Sequence, residues 1–161
     1  MGGYGVLDKK GQKKVYLIGS LRNPKIVELE MKIRALGFNV FASWFAAGPE
    51  ADDCWKKYER ARGLTFKQAL QDYAANNVFA FDFGHLESSD IVVLALPAGK
   101  SGHMEFMDAV EKGKKGFILI DDPERWDVMY LLAVKKMGID VICENFDELA
   151  KNLTKIKEES R

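Results

Sequence analysis

The chain has 161 residues, 47% of them hydrophobic and 30% charged, a composition suited to one soluble domain with a substantial core. Lys+Arg and Asp+Glu are equal at 24 each. This excludes the basic excess that duplex nucleic-acid binding by backbone neutralisation requires, so a small molecule is the expected partner. Two cysteines (Cys54, Cys143) and two histidines (His85, His103) form neither a disulfide framework nor a zinc spacing. No metal and no cofactor is expected, and the thiols read as reduced and the protein as cytoplasmic. No apolar run approaches the roughly 20 residues of a membrane helix, so no membrane partner is expected. Residues 1–13, rich in Gly and Lys, read as a flexible tail ahead of a domain over 14–161.

Val15, Tyr16, Leu17 and Ile18 form a short apolar run closed by Gly19 and Ser20, the pattern of a buried strand. Asn23 and Pro24 predict a helix start, with Asn as cap and Pro at the first helical position. Ile26, Leu29, Ile33 and Leu36 give that helix one apolar face, and Gly37 ends it. Residues 39–42 read as the second strand. Residues 43–53 are loop-like around Gly48-Pro49, and 51–62 look helical up to Gly63. Thr65 and Gln68 have capping-box spacing and predict a longer helix running toward Glu87. Residues 43–75 are read as an aromatic-rich insert.

Residues 91–96 are the third strand, purely apolar, followed by a small-residue turn over 97–102. A helix is predicted from Ser101 or Gly102 to Lys112, stopped by Gly113. Residues 117–120 form the fourth strand, and Pro123 leads into a helix ending at Gly138. Residues 139–143 are the fifth strand and 146–158 a terminal helix. Short apolar strands alternating with helices predict a single α/β domain: a doubly wound, flavodoxin- or Rossmann-like five-stranded parallel sheet with helices on both faces. Ligands bind such sheets at the carboxyl ends of the strands, where strand order reverses. In the flavodoxin-like order this point lies between strands one and three, so the loops 19–24 and 97–103 frame the expected site.

In the first loop Gly19 permits close backbone approach, Ser20 offers a hydroxyl and Arg22 a fork matched to phosphate. The competing reading is an ordinary strand-to-helix turn with a surface Arg. Neither a Walker nor a complete dinucleotide glycine pattern is present. In the second loop Gly99 and Gly102 keep the chain compact, while Lys100, Ser101 and His103 are candidate phosphate or sugar contacts. Glu105 is expected in the first turn of the following helix, where the dipole favours its ionised form. A carboxylate there can attack an anomeric carbon, or can simply be a dipole-favoured acid.

Asp82 falls among Phe79, Phe81 and Phe83, and an acid near apolar surface holds its proton longer. A protonated Asp82 beside an ionised Glu105 would follow the logic of retaining glycosidases; a solvated helical Asp is the alternative. Asp90 reads as a residue at the start of a strand. Trp44, with Phe45, Trp55 and Tyr58, can stack on a base or serve as satellite core. Asp52 and Asp53 are expected to cap a helix in preference to contacting base or sugar hydroxyls.

Taken together, these residues resemble the nucleoside 2-deoxyribosyltransferase superfamily, including the 2′-deoxynucleoside 5′-monophosphate N-glycosidases. The resemblance spans about residues 15–120. Its elements are a Tyr-x-x-Gly-Ser-x-Arg pattern from Tyr16 to Arg22, Asp82 eight residues before Asp90, the strand after it, and the Gly-containing loop ending at Glu105. It implies that Tyr16 orients the nucleophile, Ser20 and Arg22 hold a 5′-phosphate, and Asp82 is catalytic. Glu105 would attack C1′ and form a covalent deoxyribosyl-enzyme, with water completing hydrolysis or a second base completing transfer. It also implies a homo-oligomer.

The loop departs from the family pattern, with His103 standing where a Gly precedes the Glu by two positions. Ser101, four positions before Glu105, is the candidate phosphate or hydroxyl contact. The insert is longer than in the compact monophosphate glycosidases, and no match is found for the neighbouring subunit's C-terminal site residues. Two other functions fit the same fold: a non-catalytic nucleotide-binding or sensor module, and an NAD-type glycohydrolase using the same glutamate.

Overall fold

A computed structural model describes residues 7–120 and 126–160. Strands β1 (Lys14–Ile18), β2 (Asn39–Phe41), β3 (Ile91–Ala95), β4 (Lys115–Leu119) and β5 (Ile142–Cys143) pair in parallel in the order β2-β1-β3-β4-β5. This is the doubly wound α/β sheet the alternating pattern predicts. Every residue of β1 and β3 is buried, which is why these strands read as unbroken apolar runs.

Alternate side chains feed two cores. Helices α1 (Ile26–Ala35) and α7 (Phe146–Glu159) cover one face, where Ile26, Ile33, Leu149 and Leu153 meet Leu17 and Val93. The other face takes α4 (Tyr73–Glu87), α5 (Lys100–Glu111) and α6 (Leu131–Met137), with Leu86, Phe106 and Ala133 against Tyr16, Ile18, Leu94 and Ile118. Each fully buried Leu, Ile or Phe contributes about 1.5–3 kcal/mol. Two helices of the insert, α2 (Ala51–Ala61) and α3 (Phe66–Ala69), lie between β2 and α4 in the chain.

Several boundaries differ from expectation for identifiable reasons. Helix α1 begins at Ile26, not at Pro24: Asn23 Oδ1 accepts from the Lys25 amide at 3.0 Å and so shapes a turn ahead of the helix. The capping box at Thr65 and Gln68 forms, but it caps only the four residues of α3. A second cap competes with it: Asp72 accepts from the Tyr73 amide at 2.7 Å and takes Arg62 Nη2 at 2.6 Å, restarting the chain as α4. The predicted long helix is therefore two. Residues 139–141 form a single 3₁₀ turn, leaving β5 with two residues. The expected helix start at Pro123 lies outside the described residues. Beyond it Asp127 caps a 3₁₀ turn at Val128–Tyr130 that runs into α6.

Ahead of β1, the Asn39 side chain accepts from the Lys9 amide at 2.8 Å and donates to the Lys9 and Gln12 carbonyls, which fastens residues 9–12 beside β2. Gly37, at φ 98°, closes α1 as expected, and Lys157 of α7 donates to the Leu36 carbonyl at 2.9 Å. Among the described residues no helix is long and apolar enough to cross a membrane.

Candidate active site

β1 and β3 are neighbours, and the helices that follow them cover opposite faces of the sheet, α1 one face and α5 the other. Their carboxyl ends are thus the place where sheets of this kind take their ligands. Gly102, buried near the start of α5, sets how closely that helix approaches: a Cβ there would stand 2.8 Å from Ile18 Cγ2. Glu105 lies three residues on, over the same face of the helix. Tyr16 lies two residues before Ile18, on the same face of β1. The close contact of Gly102 with Ile18 therefore carries Glu105 to Tyr16. The Tyr16 hydroxyl lies close enough to the Glu105 carboxyl to favour its ionised form, and Asp82 of α4 is near enough to act on both electrostatically.

Helix α5 begins at Lys100 with Gly99 as its N-cap, so Glu105 is its sixth residue and lies beyond the first turn. The predicted stabilisation of its charge by the dipole does not hold, because that effect is confined to the first turn. Burial instead pushes the Glu105 carboxyl above the ordinary carboxylate range; the Tyr16 hydroxyl pulls it down and the Asp82 charge pushes it up. The Asp82 carboxyl is also raised, by burial, in the direction its phenylalanine-rich setting predicts. Tyr16 is held far above an ordinary phenol by burial and then by the two acids, so it serves only as a donor. Its ring lies 5.3 Å from that of Phe41, which stacks on His85 at 3.9 Å and fixes the tyrosine from behind.

Gly19, in the first loop, is required by packing: a Cβ would stand 2.6 Å from Ile26 Cδ1 and 3.4 Å from the Ala95 carbonyl oxygen. Ser20 Oγ accepts from the Arg22 amide at 3.1 Å. Arg22 reaches outward to the insert, with Nη2 3.4 Å from Asp53 Oδ2. Asp52 and Asp53 do not cap α2, whose N-cap is Glu50 and carries no side-chain hydrogen bond. Sequence reasoning missed the Arg22–Asp53 pair, since 31 residues separate its members.

In the second loop the Leu96–Pro97 peptide is cis, Gly99 has open space around it, and Ser101 is exposed at the helix start. Gly102 serves packing and has no room for a ligand atom at its Cα. His103 has both ring nitrogens engaged: Nδ1–H donates to the Gly99 carbonyl at 2.8 Å, and Nε2 accepts from the Tyr130 hydroxyl at 3.0 Å. The carbonyl can only accept, which sets the tautomer. Trp44 donates its indole N–H to the Leu17 carbonyl at 2.8 Å and packs against both cores, so its polar edge serves β1. Tyr130, the partner of His103, had no signal in the sequence.

A cavity of about 310 Å³ lined by Lys9, Met31, Arg34, Phe38 and Asn39 lies at the other end of the sheet, away from the acids. Among the described residues no group of three or more His, Cys, Asp or Glu side chains is placed to hold a metal ion. The chemistry open to the site is that of two adjacent carboxyls and a permanently protonated phenol. No family model matches the chain, and no curated protein matches it.

Proposed function

We propose that the protein cleaves or transfers the N-glycosidic bond of a 2′-deoxynucleoside or its 5′-monophosphate, as the resemblance to the nucleoside 2-deoxyribosyltransferase superfamily implies. The observation that carries this reading is that Tyr16 of β1, Asp82 of α4 and Glu105 of α5 come close enough to act on one another. The two acids are electrostatically unequal. Burial raises both carboxyls; Glu105 is raised further by the Asp82 charge and lowered by Tyr16. The resemblance, and not these shifts, assigns Glu105 as the nucleophile and Asp82 as the proton holder.

Glu105 attacks C1′ as the bond from C1′ to the base nitrogen breaks, and the bonding pair leaves with the base, which takes the Asp82 proton. The product is a deoxyribosyl ester of Glu105. Water, deprotonated by Asp82, completes hydrolysis; a second base completes transfer. Tyr16 holds the attacking carboxylate in line. No cofactor enters this scheme. The free thiols of Cys54 and Cys143 fit a reducing, cytoplasmic setting.

A homo-oligomer fits the apolar side chains that α4 leaves open, with Val78, Phe79 and Phe81 63%, 62% and 59% exposed. Light scattering tests that part. The activity is tested by following free base released from deoxynucleosides and their monophosphates, with and without an acceptor base. Mass spectrometry would look for the glycosyl adduct on Glu105. Base release that survives Glu105→Ala refutes the mechanism, and nucleotide binding without turnover favours the sensor module.

A further inference from the structure

Arg22 is the cation of the β1–α1 turn, and under the proposed function it is the group that would meet a 5′-phosphate. One nitrogen of its fork already faces a carboxylate. Asp53 stands in the first turn of α2 and brings Oδ2 to 3.4 Å from Arg22 Nη2. The Ser20 hydroxyl oxygen is also engaged, accepting from the Arg22 amide. Of the acids at the start of α2, Asp53 is the one that meets the guanidinium.

A phosphate monoester and a carboxylate compete for the same planar fork. The pair is exposed, at 72% and 69% for its two side chains, so it is weak enough to be opened. A phosphate dianion that opens it must then sit beside the displaced Asp53 carboxylate. A free 5′-hydroxyl carries no charge and needs neither displacement nor proximity to the fork. We infer that Asp53 is a specificity-determining residue that, acting through Arg22, favours a substrate with a free 5′-hydroxyl over the corresponding 5′-monophosphate. This rests on the N-glycosidic reading and deepens it: the insert over 43–75 supplies the choice of substrate charge.

The test compares wild type, Asp53→Asn and Asp53→Glu in two arms. In the first, kcat/KM for base release is measured on a deoxynucleoside and its 5′-monophosphate. Asp53→Asn is expected to raise the monophosphate-to-nucleoside ratio by about 5-fold, the scale of an exposed ion pair plus its repulsion. Asp53→Glu is expected to restore the wild-type ratio, which a merely structural role would not do. An unchanged ratio in Asp53→Asn overturns the inference. The second arm measures binding of 2-deoxyribose 5-phosphate by calorimetry and needs no turnover. Asp53→Asn should bind it more tightly than wild type, and equal binding overturns the inference. If no base is released in the first arm, the proposed function fails, while the second arm still decides the role of Asp53.

Discussion

Replacing Gly102 by Ala tests whether helix packing places the nucleophile. The new Cβ would lie 2.8 Å from Ile18 Cγ2, whereas ordinary contact begins at 3.4 Å, so the two must separate by about 0.6 Å. Ile18 cannot yield easily. Its β-branched side chain is stiff at χ1, and its strand is paired on both sides. Helix α5 must therefore lift. Ala improves helix propensity over Gly by about 1 kcal/mol, while overpacking a buried contact costs about 1–3 kcal/mol. The net expected change is a destabilisation of about 0–2 kcal/mol.

Activity should fall further than stability. Lifting α5 separates Glu105 from Tyr16, and a misplacement approaching 1 Å costs on the order of 10- to 100-fold in rate. Thermal melts and kcat/KM for base release are measured side by side, with Gly84→Ala in α4 as the control. A Cβ at Gly84 meets nothing within 4 Å, so the control should gain about 1 kcal/mol from propensity. If Gly102→Ala matches that control in both stability and turnover, the packing argument is wrong.

Glu105→Gln should reduce base release by at least about 10³-fold. The same variant should melt at a higher temperature than wild type at neutral pH. The folded carboxyl is raised by burial, so ionising it costs stability as pH rises; the advantage of Gln should vanish once the pH falls below the unfolded carboxyl's range. Tyr16→Phe removes the one contact that lowers the Glu105 carboxyl, so the acid limb of the pH–rate profile should move to higher pH. A profile that keeps its position would refute the Tyr16–Glu105 link. Trp44→Phe leaves the Leu17 carbonyl without its donor and should cost about 1–2 kcal/mol in a denaturant titration. It should leave the pH profile where it is.

The sheet was legible because β1 and β3 are buried on both faces and so appear as unbroken apolar runs. Their parallel pairing follows from the helices between them. Tyr16, Asp82 and Glu105 were legible as residue types at a spacing, together with the raised state of Asp82. The electrostatics of Glu105 were not, because helix α5 begins earlier than the glycines of its loop imply and moves the acid off the first turn. Pair contacts across long stretches of chain leave no local trace. Arg22 meets Asp53, and His103 meets Tyr130, only because the fold brings separate elements together. Gly19 read as room for a ligand, but Ile26 fills that space, and the compactness read at Gly102 is a close contact with Ile18. One predicted helix became α3 and α4 because a second cap, Asp72 held by Arg62, forms seven residues after the first at Thr65.

The central place of β1 gives the two walls of the site different fates when the molecule breathes. Tyr16 belongs to a strand paired to β2 on one side and β3 on the other, the type of segment whose amides exchange only on global unfolding. Glu105 belongs to a helix that packs on one face of the sheet, and it lies just past that helix's amino-terminal turn, where opening spreads short of global unfolding. In a hydrogen-exchange experiment the phenol's wall should be the slow one and the carboxylate's the fast one. Partial opening would then switch the site off while the fold persists, and reclosing α5 would restore it without refolding.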